Sequence, residues 1–353
     1  ILICDRSDPP TPIPEGWRRP PNAKVYTRQD GTTRNLPIGV AADPVLGRLA
    51  FAAGAKPFEV RVSYAYGFGG DVGGGPYDRQ DAVAAHFLKQ TFGKTSGAAA
   101  EKRDITWRAG VSRAKTAVAG ELVFATLKEA VVAWNKLPAA QRQVGFITMM
   151  DSLSYDESLT GTAAIKMPPG TLLVIAAADW PVVKDANGND TRPADLFAAE
   201  EVRPHGRGNW EVKGDTVGAG QVGGELAIDG LLMEGSLAVK KGELGALTLA
   251  HCTLVPGQGG ISVAAPNASL RLNLTRSICA GIACSAEGAE VSIVASIIDA
   301  PASVAISAAK ARVSLAGATV LGGIKARFFD ADTSIVTEKG AIERRQTGCA
   351  RFC

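Results

Sequence analysis

The stretch Leu270-Arg271-Leu272-Asn273-Leu274-Thr275-Arg276-Ser277-Ile278 carries the pattern that decides the fold. Aliphatic residues alternate with polar ones, as in a short strand with one buried face, and a hydroxyl residue followed by an aliphatic one ends the strand. The same hydroxyl–aliphatic pair follows an alternating strand at four other places: Thr253-Leu254, Ser296-Ile297, Thr319-Val320 and Ser334-Ile335. A related unit precedes them, with Leu226-Ala227-Ile228 ahead of Leu231-Leu232. The pattern is therefore an internal repeat.

The spacing of these pairs indicates a β-solenoid. Successive pairs are 24, 19, 23 and 15 residues apart, with turn formers such as Pro256-Gly257 and Gly322-Gly323 between the units. A period of about 20 residues that holds several short strands fits stacked coils, which bury continuous aliphatic ladders with one layer every ~4.8 Å. The irregular spacing is typical of loops of varied length, and the asparagine consensus and helical spacers of a leucine-rich repeat are absent. We predict an all-β chain whose main part is a right-handed parallel β-helix.

Composition and pattern divide the 353 residues into four parts. They are a Pro-rich linker (1–22), a small β module (23–77), a helical or irregular connector (78–123) and the β-helix (124–353). Near the start of the β-helix, Thr126 and Glu129 have the form of a capping box. Apolar residues then follow at helical spacing, which predicts a capping helix over the open end of the first coil: Leu127, Ala130, Val131, Trp134 and Leu137.

Shorter patterns place elements ahead of the solenoid. Asp30-Gly31 predicts a hairpin turn, and Leu49–Phe51 and Val60–Tyr66 predict strands. A helix is expected over residues 79–90, with His86 packed on a partly apolar face. The glycine-rich run 67–75 is not followed by Lys-Ser/Thr, so we interpret it as a flexible or strained loop rather than a phosphate-binding loop.

Charge and hydropathy exclude two classes of partner. The net charge is +3 and no concentrated basic stripe is present, which argues against nucleic acid. No run approaches the ~18 apolar residues of a membrane span. The chain begins at Ile1 and not at an initiator methionine, so we expect it to be a piece of something longer or a processed product.

The six cysteines do not form a disulfide framework at this length. We expect Cys252, Cys279 and Cys284 to be buried free thiols, which fits assembly in a reducing compartment. Cys349 and Cys353 can pair with each other, whereas a metal site would need a second Cys/His pair that the spacing does not supply.

Catalysis on a β-helix would need clustered acids in one groove. The acids of the solenoid occupy different offsets from the hydroxyl–aliphatic pair, and His251 has no similarly placed acid in neighbouring units. The run that begins at Asp185 has Asp190 where a calcium loop has its sixth-position glycine, and Leu196 at the acidic twelfth position. An Asn-Gly turn at the tip of an inserted loop is therefore preferred. The sequence therefore nominates no catalytic, cofactor-binding or metal-binding residue and no cofactor.

Two resemblances add to this picture. The stretch Thr126–Ala177 resembles the opening of pectin-lyase-like β-helices, which implies the fold, while the catalytic motifs of those enzymes have no match downstream. Other segments resemble a family of large uncharacterised bacterial proteins that is similar in context to phage-tail-like and contractile-injection baseplate components. The segments are Asp43–Phe51, Val62–Phe68, His251–Gly257 and Glu343–Phe352. Relatives continue past the position of Phe352, where Cys353 ends this chain.

The second resemblance implies an accessory structural part of a tail-like particle. We expect a non-catalytic, structural or receptor-facing component, assembled in the bacterial cytoplasm and released or surface-exposed as part of a particle. Its expected partners are other tail or baseplate proteins, further copies in a homotrimer, and surface polysaccharide. A polysaccharide-active lyase or hydrolase is the alternative, and a carbohydrate-binding module is a third. The third is disfavoured because few aromatics are available for sugar stacking: Trp210, Phe328, Phe329 and Phe352.

Overall fold

The computed structural model describes residues 2–3, 20–27, 31–43, 48–52, 54, 57, 60, 70–88, 101–118, 120–344 and 346–353. The chain divides into two compact units, Ile1–Phe68 and Gly69–Cys353. Most of the Pro-rich linker, residues 61–66 of the expected strand and residues 89–90 of the expected helix lie outside the described residues. The helix expected over 79–90 ends earlier, at His86. No helix of the described part is long and apolar enough to span a bilayer.

The first unit contains short strands. They are β1 (Leu2–Ile3), β2 (Ala23–Thr27), β3 (Thr33–Pro37), β4 (Val40–Asp43) and β5 (Arg48–Phe51). Strands β2 and β3 form the expected antiparallel hairpin, whose turn includes Gly31 at φ 80°. The strand predicted at Leu49–Phe51 is confirmed within β5, which pairs antiparallel with β4.

The second unit is built on one sheet of 23 strands whose pairs are parallel. Each strand pairs mainly with the strand three places further along the chain, so the chain forms three ladders. Ladder A contains β6 (Trp107–Val111), β7 (Val123–Phe124), β8 (Val144–Met149), β11 (Leu172–Ala177), β16 (Glu225–Asp229), β19 (Ala246–Ala250), β22 (Arg271–Thr275), β25 (Glu290–Val294) and β30 (Ala350–Arg351). Ladder B contains β9 (Ser154–Asp156), β14 (His205–Arg207), β17 (Leu232–Glu234), β20 (Thr253–Leu254), β23 (Ile278–Cys279) and β28 (Ile335–Val336). Ladder C contains β10 (Ile165–Met167), β15 (Trp210–Gly214), β18 (Leu237–Val239), β21 (Ile261–Val263), β24 (Ile282–Cys284) and β29 (Gly340–Ile342).

Two long strands and a hairpin complete the set. Strands β26 (Ile297–Ala316) and β27 (Thr319–Asp332) each contribute one segment to all three ladders. Strands β12 (Val183–Lys184) and β13 (Asp190–Thr191) form an antiparallel hairpin in the insertion 178–204. The Asn-Gly turn predicted there is confirmed, because Gly188 lies between the two strands at φ 81° and the Asp185 carboxylate accepts from the Asn187 and Asn189 N–H groups.

The alternating residues of the repeat form the interior layers. Leu274 stacks between Leu249 and Ile293, and all three side chains are buried. Two residues earlier on the same strands, Leu247 and Leu272 stack in the same way. Each buried Leu or Ile side chain contributes about 1.5–3 kcal/mol of apolar burial, and no coil could bury these groups alone. The aliphatic ladders predicted from the sequence are confirmed.

The hydroxyl–aliphatic pairs lie at the corner between ladders A and B, and here the prediction is partly wrong. The chain bends at one left-handed residue in each of six coils, with φ between 46° and 78°: Gly230, His251, Arg276, Ala295, Gly317 and Thr333. The pairs therefore follow a bend instead of ending a ladder A strand. They are also not all in register, because Thr253 stacks on Ile278 and Thr319 stacks on Ile297.

The serine hydroxyls satisfy backbone groups at this buried corner. Ser277 Oγ accepts from the Cys252 N–H at 3.1 Å, and Ser296 Oγ accepts from the Ser277 N–H at 3.0 Å. Ser334 Oγ accepts from the Ala318 N–H in the same way. Serine recurs at these positions because a buried N–H without a partner is costly.

The beginning of the ladders differs from the prediction in its boundary. Strand β6 pairs with β8, so ladder A begins at Trp107, ahead of the predicted start at residue 124. The predicted helix is confirmed as α2 (Leu127–Lys136), and its capping box is formed by Thr126 and Glu129. Asn135 of α2 donates to the Ala164 carbonyl and accepts from the Lys166 N–H, so a side chain pairs the edge of β10.

The segment 70–88 lies against the outside of the ladders, from β8 and β11 at its helix to β20 and the residue after β22 at its glycines. Its helix α1 (Gln80–His86) packs Val83, and Phe87 after it, against Phe146 and Val174 of ladder A. Because these strands are covered on both faces, their sequences are apolar at nearly every position. The described part of the glycine-rich run is packed too, since the Gly74 N–H donates to Thr253 Oγ1 and a Cβ there would lie 2.8 Å from the Leu231 carbonyl oxygen.

Candidate functional site

A row of polar side chains lies on the outer face of ladder B in three successive coils. Strand alternation turns Tyr155, Gly206 and Met233 inward, so the residues on either side of them face outward. Strand β9 contributes Ser154 and Asp156, β14 contributes His205 and Arg207, and β17 contributes Glu234. We call these five residues the ladder B row.

The row brings a hydroxyl, an imidazole and a carboxylate together in that order. Ser154 and His205 are direct register neighbours, and Ser154 Oγ lies 3.1 Å from His205 Nδ1. On the other side of the ring, His205 Nε2 lies 3.3 Å from Glu234 Oε1. That nitrogen is buried and makes no well-aligned hydrogen bond, while the Glu234 side chain is 38% exposed.

Two arginines place positive charge beside these groups. The Arg207 Nε lies 3.2 Å from Asp156 Oδ1 and 3.5 Å from Glu234 Oε2, so the guanidinium sits between two carboxylates. Arg113 stacks on the Tyr155 ring at 4.6 Å and donates to the Ser154 carbonyl oxygen. Ser154 is thus flanked by an imidazole at its hydroxyl and a guanidinium at its backbone.

A partly buried network holds this end of the row in place. The Tyr155 hydroxyl donates to Asp151 Oδ1 at 2.8 Å, and Asp151 Oδ2 accepts from the Ser112 hydroxyl and the Arg113 N–H. Burial by itself would raise the pKa of Asp151, but these hydrogen bonds outweigh it and lower the pKa. Burial and the bond to Asp151 raise the pKa of Tyr155. Asp151 is therefore an ionised anchor that ties Arg113 to the strand carrying Ser154.

A second cluster surrounds the buried carboxylate of Asp229, which lies close to His251 although it does not occupy the same position in its coil. His251 Nδ1 lies 4.0 Å from Asp229 Oδ1. His86 Nε2 lies 3.0 Å from Asp229 Oδ2, and Arg79 Nη1 donates to Oδ1 at 2.7 Å. Asp229 is in register with Ala250, the residue before His251, so comparing equivalent positions along the sequence did not reveal this contact. The Tyr77 ring packs edge-on against His251.

The environment of Asp229 indicates a structural role, in which the carboxylate anchors segment 70–88. Burial alone would raise its pKa, but the nearby imidazoles of His251 and His86 and the charge of Arg79 lower it. Burial also raises the pKa values of Tyr77 and Cys252 to about 12. The Asp229 side chain is 0% exposed, so a substrate in solvent does not reach it. The cluster joins segment 70–88 to ladder A.

The other residues considered in the sequence analysis belong to neither of these clusters. Cys252, Cys279 and Cys284 are buried free thiols as expected, and Cys349 and Cys353 are exposed and free. Among the described residues no three His, Cys, Asp or Glu side chains are grouped as metal ligands. Trp210, expected to be available for sugar stacking, is buried instead.

The ladder B row was not found from the sequence. The alternation of Ser154 with Asp156 and of His205 with Arg207 was visible, but the insertion 178–204 separates the two strands and hides their register. Comparison of the chain with protein-family models, with curated proteins and with solved structures gives no match.

Proposed function

We propose that residues 107–353 form a right-handed parallel β-helix. Support comes from the parallel pairing within each ladder, in which every strand from β14 to β23 pairs with the strand three places later. Parallel connections within one sheet are right-handed in nearly all proteins, because a right-twisted strand packs back onto the sheet only that way.

We further propose that this solenoid is a rigid scaffold in a tail-like or other extracellular bacterial assembly, either structural or receptor-facing. The observation that carries the proposal is the continuous buried core, which runs from Trp107 to Ala331 without interruption. A chain with this core resists bending and proteolysis, since each coil is hydrogen-bonded to its neighbours along three ladders. Further copies in a homotrimer, tail or baseplate proteins and surface polysaccharide are the partners that the sequence resemblance suggests.

The test is co-purification from the native source. The protein is sedimented with its partners, which are then identified by mass spectrometry and quantified. Sheath, tube or baseplate proteins in fixed ratio to this chain support the scaffold role. A free monomer in every fraction overturns it.

The alternative is an enzyme that uses the same scaffold. One specific observation favours it, namely the order hydroxyl, imidazole and carboxylate in Ser154, His205 and Glu234.

A further inference from the structure

We propose that Ser154, His205 and Glu234 form a nucleophile, base and orienting acid that hydrolyse short acyl esters on the outer face of ladder B. This inference goes beyond the scaffold role and does not depend on it. It rests on the three side chains and on Arg113, all of which belong to the first coils of the solenoid.

The geometry assigns the proton positions. Glu234 beside Nε2 favours the tautomer with its proton on that nitrogen, which leaves the lone pair of Nδ1 for the Ser154 hydroxyl. A serine hydroxyl is a weak nucleophile unless a base takes its proton as it attacks. The 3.1 Å separation of Oγ and Nδ1 lies within the reach that this transfer requires.

The reaction balances without a cofactor. Ser154 Oγ attacks the ester carbonyl carbon and passes its proton to His205 Nδ1. The carbon–oxygen bond of the ester breaks, and the alcohol leaves with that proton, so that the acyl group is carried on Ser154. Water then attacks the acyl carbon, His205 again takes and returns the proton, and the carboxylic acid is released with Ser154 restored.

Arg113 is the cation in contact with the Ser154 backbone, and in this proposal it stabilises the negative charge that develops on the carbonyl oxygen. Its guanidinium already donates to the Ser154 backbone oxygen and is held over Tyr155. A guanidinium has five N–H donors, so one bond to a backbone oxygen leaves others for a substrate oxygen. Fixed donors aimed at a developing oxyanion contribute strongly to acyl transfer.

The surroundings define the class of ester. Ser154 is exposed and the row lies on an outward strand face, so the acyl group receives no deep pocket and must be short. The alcohol part can be long, because an extended molecule lies along a flat face without a clash. The expected substrates are acetyl-type esters on an extended carrier.

The experiment uses the full chain and two probes. An alkyl fluorophosphonate reacts with an activated serine, because Oγ attacks phosphorus and fluoride leaves, and the modified residue is mapped by mass spectrometry. Hydrolysis of 4-nitrophenyl acetate gives kcat/KM. The variants are Ser154→Ala, His205→Asn and Glu234→Gln, with Ser262→Ala as a control because Ser262 is an exposed serine on a ladder C strand without an imidazole partner.

We expect the probe on Ser154 in the unaltered protein and no hydrolysis above background for Ser154→Ala. His205→Asn should lower kcat/KM by about 100-fold or more, and Glu234→Gln by about tenfold or more. Ser262→Ala should match the unaltered protein. Thermal unfolding of each variant separates lost chemistry from lost folding.

Labelling elsewhere than Ser154, or hydrolysis that survives His205→Asn, overturns the inference. A protein that neither reacts with the fluorophosphonate nor cleaves the acetate overturns it as well. Co-purification with an assembly is decided by a separate measurement, so the scaffold role and the esterase activity can fail independently.

Discussion

Arg79 and Asp229 form a buried ion pair across 150 residues of sequence, with 2.7 Å between Nη1 and Oδ1 and both side chains fully shielded from solvent. The second nitrogen of the guanidinium, Nη2, donates to the Ala177 carbonyl at 2.6 Å. One arginine therefore holds segment 70–88 to two consecutive strands of ladder A. Several predictions about stability depend on this contact and on the corner beside it.

Arg79→Met should lower the free energy of unfolding by about 3–5 kcal/mol, because it leaves the Asp229 carboxylate buried without its closest cation. Urea unfolding followed by circular dichroism measures the change. The matched control is Arg312→Met, which breaks an equally short pair with Asp330 at a half-exposed site and should cost about 1 kcal/mol or less. Equal losses for the two variants would contradict a special role for the buried pair.

The lowered pKa of Asp229 predicts a specific dependence of stability on pH. The unfolded carboxyl titrates near pH ~3.9, and the folded pKa lies below that value. Its contribution is therefore fully present above the unfolded pKa and is lost as pH falls through the folded pKa. The free energy of unfolding should fall between about pH 5 and pH 2.5, and Asp229→Asn should flatten this slope.

The pH experiment is read against Glu287→Gln, an exposed acid whose removal should leave the slope unchanged. Asp151 also has a lowered pKa and contributes to the same window, so the slope of Asp229→Asn is reduced but not abolished. An unaltered slope in Asp229→Asn would show that the carboxylate does not gain stability from its neighbours.

Gly230→Ala should lower the stability of the protein far more than substitution of a left-handed glycine usually does. Gly230 has φ 78°, and an added Cβ would overlap the Arg79 guanidinium. Gly257 has φ 79° with open space around it, so Gly257→Ala carries the backbone cost alone, about 1–2 kcal/mol. Thermal unfolding of both variants should place Gly230→Ala well below Gly257→Ala, and similar melting temperatures would argue against close packing of Arg79.

Ser277→Ala should cost about 1–3 kcal/mol, because the buried Cys252 N–H loses its acceptor. Ser262→Ala removes an exposed hydroxyl from a ladder C strand and should change stability by less than about 0.5 kcal/mol. Chemical unfolding of the two variants side by side measures the difference. If the two substitutions lower the stability equally, the Ser277 hydroxyl does not contribute through its bond to the Cys252 N–H.

The sequence predicts the local parts of this fold well. Alternation in Leu270–Leu274 fixed which side chains are buried, and Thr126 with Glu129 identified the helix start, because both signals lie within a few residues. Register between coils is a different matter. It depends on where the chain bends, and four of the six left-handed corner residues are not glycine. The corners therefore left no mark in the composition, and Thr253 and Thr319 were aligned one residue away from their true partners.

The candidate site could not be predicted from the sequence, for a related reason. Ser154, His205 and Glu234 come together only once the coils are stacked, and the insertion 178–204 hides the register of the first two. Strand β6 was missed because its five residues, Trp107 to Val111, are all buried and so do not alternate. A strand covered on both faces has no period-two signal to detect.

The left-handed corner also governs how the molecule can change in length. From Asp229 onward, every connection from ladder A to ladder B is two residues long, whereas those leaving ladders B and C vary. An extra residue at the corner would turn every following side chain of that strand to the opposite face. We therefore expect insertions and deletions to be tolerated in the connections that leave ladders B and C and to be excluded from those that leave ladder A. Growth by duplication should add whole coils of ~4.8 Å each, with the two-residue connection from ladder A to ladder B kept constant.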